Sequence, residues 1–135
     1  MEEALIKRVL PHSIEAEQSV VGAMLMDKEA IMTASEIISG EDFYQTTYGV
    51  VFGAIVDLYN EGKPVDLITL QDRLREKDVP EEIQSLEFVR ELLTSVSTSA
   101  NVKYYADIVA EKSMLRKLIR LTEGIANTCY LAKEP

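Results

Sequence analysis

In the stretch from Thr46 to Leu74, the residues Tyr48, Val51, Phe52, Ile55, Leu58 and Tyr59 recur at helical spacing. An apolar stripe that wide commits the segment to a core helix. A hydroxyl at Thr46 or Thr47 is placed to cap its start, and Gly62 followed by Pro64 is placed to end it, through a positive φ and a missing donor. Gly49 and Gly53 lie opposite the stripe at i, i+4. Each costs roughly 1 kcal/mol of helix propensity, so the pair predicts a tightly crossing neighbour. The rest of the chain is expected to pack around this stretch.

Other helices are punctuated in the same way. Ser13 caps a helix from about Ile14, with Glu15 and Glu17 in the first turn, where carboxylates favour the positive end of the dipole. Ile14, Val20, Val21, Met24 and Leu25 bury that helix on more than one side. Asp27 restarts the chain for Lys28 to Ile38, which Gly40 is read as ending. Glu41 to Tyr44 is too short for a helix of its own, but Phe43 and Tyr44 can pin the connection to the core. Asp66 caps a shorter helix with Leu67, Leu70 and Leu74 on one face; Pro80 opens a single turn, and Ser85 caps a helix carrying Phe88, Val89, Leu92, Leu93 and Val96.

The polar run from Ser95 to Asn101 is the clearest loop, and a last helix runs from there to about Tyr130. Globular helices average about 11–12 residues, so this one is far overlong. Tyr105, Ile108 and Val109 suit a face turned to the core, whereas beyond Ser113 the apolar set becomes Leu115, Leu118, Ile119, Leu121, Ile125 and Leu131. An apolar helix projecting past its own domain needs a partner to cover it. The chain also stops at Pro135 without a helix-ending glycine, which predicts a piece of a longer protein. The domain reading is a lead-in arm over residues 1–12, a globular helical bundle over 13–112, and a projecting segment over 113–135.

The chain's 135 residues, 47% of them hydrophobic, suffice for one domain with a real core. A net charge of -9 and a pI near 4.6 repel phosphates, so this chain alone is expected to bind DNA poorly. One cysteine cannot make an internal disulfide, and no apolar run approaches the length of a membrane span, so the expected setting is reducing and cytosolic. Catalytic chemistry finds few residues to use. Gly62-Lys63-Pro64 lacks the earlier glycine and the hydroxyl of a phosphate loop, and His12 is the only histidine. His12, on a Pro-His-Ser turn, is read as a surface residue, Cys129 as a small apolar contact, and the carboxylates as solvated faces and caps.

Five blocks then point to a known family. They are His12 to Ala23 (HSIEAEQSVVGA), Asp42-Phe43-Tyr44, Phe52 to Tyr59, Pro64 to Leu70 (PVDLITL) and Ala100 to Ala106 (ANVKYYA). In order and from about Leu10 onward, they resemble the N-terminal domain of the bacterial replicative DNA helicase, the DnaB family. The resemblance implies an all-α domain: a compact helical bundle followed by the first arm of a projecting helical hairpin. It implies hairpins that pair between subunits, N-terminal domains that form a collar, a trimer of dimers, on a hexameric ring, and a docking role for the primase C-terminal domain. A helicase loader is a further partner it allows. ATP and Mg are expected only in the full-length protein, in a C-terminal ATPase domain absent from this chain, with DNA reached through the whole assembly.

Carried over by position, Glu15, Phe88, Ile119 and Ile125 are candidate partner-binding residues, facing primase or a neighbouring subunit, and Leu115 and Leu118 of the apolar set beyond Ser113 join them. For Glu15 and Phe88 the alternatives are a dipole contact and a core position. The pattern departs from the family at Gln84-Ser85, where a Gly-Gly pair is usual, at Tyr48, where histidine is frequent, and at Leu10-Pro11, where Pro-Pro is common. A different class of function, a free-standing helical regulatory or ligand-binding domain, is the alternative reading.

Overall fold

The computed structural model describes residues 8–132. The first part of the 1–12 arm and the last three residues of the 113–135 segment lie outside the described residues. Among those described there is no strand: the chain folds into α1 (Ile14–Met26), α2 (Lys28–Ile37), a 3-10 turn (Gly40–Asp42), α3 (Thr46–Asn60), α4 (Leu67–Arg75), α5 (Glu81–Gln84), α6 (Leu86–Thr94) and α7 (Val102–Leu131).

Local chemistry sets most of these limits. Ser13 Oγ accepts from the Ala16 N–H at 3.1 Å, Asp27 Oδ1 from the Glu29 N–H at 3.0 Å, and Ser85 Oγ from the Phe88 N–H at 3.1 Å. Asp66 and Thr69 cap each other reciprocally at 2.9 and 3.0 Å. Gly62 has φ 75°, the left-handed conformation that lets Lys63 N–H return to the Leu58 carbonyl and close α3. Two expectations change. Gly40 does not end α2; Ile38 does, by turning extended and burying its side chain, and Gly40 instead opens the 3-10 turn. Neither Thr46 nor Thr47 caps α3, whose N-cap is Gln45 without a side-chain bond.

The organising helix is α1 rather than α3. Val20, Val21, Gly22, Ala23 and Met24 are all buried in succession, and α1 makes the most extensive contacts of any element, with α7, α2, α6 and α3. A helix apolar all round has to be enclosed on every side, and these four neighbours enclose it. Its closest approach is at Gly22, where a Cβ would stand 2.5 Å from the Leu92 carbonyl oxygen of α6. The two α3 glycines divide: a Cβ on Gly49 would meet the Gly40 carbonyl oxygen at 2.5 Å, so the 3-10 turn is the predicted crossing neighbour, while Gly53 has nothing within 4 Å.

The α3–α4 connection is held from outside the core. Arg73 donates two bonds to Glu61, at 3.0 and 2.7 Å, and Lys63 stands 3.2 Å from the same carboxylate. The Arg73 fork, followed by Lys63, holds the Glu61 carboxyl down to about 2 from its ordinary 4.5.

Gly22→Ala should destabilise the domain by about 1–3 kcal/mol in urea denaturation despite better helix propensity, because the backbone of α6 must move. Gly53→Ala should stabilise it by about 0.5–1 kcal/mol. Because the folded carboxyl of Glu61 titrates below the unfolded one, its contribution is present above about pH 4.5 and lost as the pH falls toward 2. Glu61→Gln should therefore flatten the stability profile over that interval, read as urea midpoints.

Candidate functional site

The inward stripe of α7 begins as Val102, Ala106 and Val109, and at the same spacing it continues as Ser113 and Arg116, which are equally buried. Polar groups so placed require partners, and the 3-10 turn supplies them. Ser113 Oγ donates to Asp42 Oδ1 at 2.7 Å, and Lys117 Nζ reaches the same oxygen at 3.3 Å. Burial raises the Asp42 carboxyl, but the bonds from Ser39 N–H, Ser113 and Lys117 outweigh it and leave it below its ordinary value.

Arg116, 4% exposed, donates from Nη1 to the Pro11 carbonyl at 2.8 Å and from Nη2 to the Asp42 carbonyl at 2.6 Å. Its guanidinium also lies 5.7 Å from the centre of the Tyr44 ring, within cation–π range. On that ring stacks His12, with centroids 4.0 Å apart and planes 7° from parallel. His12 Nδ1 lies 2.7 Å from the Leu10 carbonyl, which can only accept, so Nδ1 carries the proton. His12 is thus a half-buried anchor and no bland surface residue.

One more charge is buried beside this junction. Glu17, 1% exposed, accepts from the backbone N–H groups of Tyr44 and Gln45 at 2.8 and 3.0 Å. From the sequence it reads as a first-turn dipole contact; in the fold it holds the two backbone N–H groups just ahead of α3 and so fixes the connection that leads into that helix, whose own first turn has no side-chain cap. Among the described residues, no buried side-chain nitrogen or oxygen lacks a partner.

Beyond Arg116 the apolar face of α7 changes direction. Leu118, Leu121 and Ile125 are 50%, 61% and 56% exposed, and Met114 extends the row toward the body. At 3.6 residues per turn this row is rotated by roughly a third of a turn from the buried stripe. The body therefore cannot cover it. Cys129, read as an apolar contact, is exposed on the same stretch.

The six candidate residues fall in three places. Leu115 lies at the root of α7 and Leu118, Ile119 and Ile125 on its outer part, with Ile119 half-buried and the others exposed. Glu15 is exposed in the first turn of α1. Phe88, on α6, is half-buried and packs against the hydrophobic core. Asp42, Ser113, Arg116 and the interior position of Glu17 were missed. The available signal was that polar residues occupy positions on an otherwise apolar helical stripe, since Ser113 and Arg116 follow Val109 at i+4 and i+7.

Among the described residues, no group of three or more His, Cys, Asp or Glu side chains is placed to hold a metal ion, and no helix is long and apolar enough to cross a membrane. The geometry defines an all-α scaffold: a closed helical body gripping the root of one long helix, whose outer half presents an uncovered apolar face. Residues 9–111 match the family model of the DnaB-like helicase N terminal domain. The chain belongs to that family. It is 43% identical over 134 residues to the replicative DNA helicase DnaB of Geobacillus stearothermophilus, covering 99% of this chain and 30% of the relative. The Bacillus subtilis replicative DNA helicase DnaC matches at 39% identity over the same shares. The chain thus spans about 30% of the length of these relatives.

In structure, the chain resembles the N-terminal domain of the Mycobacterium tuberculosis DnaB helicase with a TM-score of 0.88 at 36% identity, covering 93% of this chain and 88% of that one. The N-terminal domain of the Helicobacter pylori DnaB helicase, described together with its interactions with primase, shares the fold with a TM-score of 0.73 at 20% identity, covering 86% of this chain and 90% of that one.

Replacing Glu17 with Gln should cost about 1–3 kcal/mol in urea denaturation, since each carboxylate oxygen now accepts from one backbone N–H and the amide NH2 would face one of these donors with no hydrogen bond to offer it. Glu15→Gln, on the exposed side of the same turn, should stay within about 0.5 kcal/mol of the parent.

Proposed function

We propose that this domain serves a replicative DNA helicase as an assembly and docking module, with no chemistry of its own. The observation that carries the reading is the apolar row Leu118, Leu121 and Ile125, turned away from the body and uncovered by it. An exposed apolar face of this kind on an acidic domain marks a protein partner rather than DNA. In this reading residues 13–112 are the body, Ser113 to Lys117 fasten the arm, and the outer part of α7 pairs with the arm of a neighbouring subunit as half of a helical hairpin. Six such domains then form a collar, as a trimer of dimers, on a bacterial cytoplasmic hexamer.

Primase is the second partner, through its C-terminal domain, and family membership together with the Helicobacter pylori description supports it. Glu15 on α1 and the exposed arm residues are the surfaces offered; Phe88, set against the core, contributes mainly shape. ATP and Mg enter only with the part of the relatives that this chain does not span, because the residues here include no phosphate loop. DNA is likewise reached through the full assembly, and a helicase loader is a further partner of that assembly. The 134-residue match to replicative helicases favours this reading over a free-standing ligand-binding domain.

Sedimentation of the 135-residue chain at tens of micromolar should show self-association that Ile125→Asp abolishes. A chain that is monomeric throughout that range overturns the pairing of arms. Titration calorimetry with the C-terminal domain of the cognate primase should give saturable heat in the same concentration range. A flat isotherm with folded partners overturns the docking role.

A further inference from the structure

Arg116 serves two separate parts of the chain. One N–H group goes to Pro11, in the segment of residues 8–13 that forms no helix before α1 begins, and another goes to Asp42, in the 3-10 turn. The same Asp42 holds Ser113 and Lys117 through its carboxylate, and the Tyr44 ring beside it carries both the His12 stack and the Arg116 guanidinium. Withdrawing the lead-in segment would leave a buried guanidinium with one of its acceptors gone and the Tyr44 ring without its cover. A buried charge in that state gains by moving toward water, and since the remaining Arg116 bond to Asp42 is part of what fastens the root of α7, that movement loosens the root.

We propose that Arg116 makes the seating of the lead-in segment and the fastening of the arm root one thermodynamic event, so that displacing either weakens the other. The coupling is reciprocal by linkage. It turns residues 8–12 into a control point for the arm: a protein that grips them is felt at residues 113–117, through the Arg116 guanidinium that bonds both Pro11 and the 3-10 turn. This stands whether or not the arm meets a primase, since it concerns contacts within one chain.

The test is a double-mutant cycle read by hydrogen exchange with mass spectrometry. The 135-residue chain is compared with the same chain lacking residues 1–11, each carrying either Arg116 or Arg116→Lys. Lysine keeps the charge but presents one compact donor group and cannot span both carbonyls. Deletion should speed exchange at residues 113–120 by about 5-fold or more with Arg116 in place, and much less with Arg116→Lys, while exchange at the centre of α1 stays unchanged. Equal acceleration in both backgrounds, no acceleration at the root, or a matching rise in α1 would overturn the coupling. Should Arg116→Lys fail to fold, His12→Ala in the intact chain replaces it, because it removes the stack and leaves both carbonyls in place: faster exchange at residues 113–120 supports the proposal, and unchanged exchange there refutes it.

Discussion

Glu17 lies within α1, the helix that α2, α3, α6 and α7 all touch, and its carboxylate is balanced by two backbone donors contributed by Tyr44 and Gln45. A charge at that depth is tolerated only because both oxygens are bonded. The requirement fixes where the chain must pass between the 3-10 turn and α3, and so fixes Asp42 and Tyr44 as well. Once these are placed, Ser113 and Arg116 have their acceptors, and the root of α7 is set. A single buried carboxylate therefore determines a chain of positions that ends at the arm. The apolar core supplies most of the driving force for folding, while this polar corner decides which way its longest helix leaves.

The helices and their capping residues could be read from the sequence because they rest on local chemistry. Ser13, Asp27, Asp66 and Ser85 each bond a backbone group two or three residues away, so spacing alone reveals them. The overlong α7 follows from periodicity for the same reason, while the all-α class came with the family resemblance. What escaped depends on contacts distant in the chain. Arg116 reaches residues 105 and 74 positions away; its place on the stripe of Val109 sets it apart from the exposed Arg120, but no local pattern names the acceptors it finds. The two glycines of α3 make the point in small: at i, i+4 they look equivalent, yet only Gly49 faces the backbone of the 3-10 turn, because which side of α3 is covered depends on where that turn lands.

For the candidate site, the sequence showed that an apolar set occupies the outer part of α7 but not where it points. The rotation of that set away from the buried stripe becomes visible only when Val109, Ser113 and Arg116 are seen facing the body together. Family resemblance supplied Glu15 and Phe88, and the fold separates them, leaving the first exposed and the second against the core.

The buried stripe of α7 ends at Arg116, and no residue after it on that helix is buried. The body's own stability is thus nearly indifferent to what the outer half of the helix carries. Substitution there can track a changing partner without a matching change inside, whereas Gly22, Glu17 and Arg116 are each held by several neighbours at once. The domain divides into a part where sequence is bound by the body's own geometry and a part bound only by whatever covers it, and the border between them is one turn of helix.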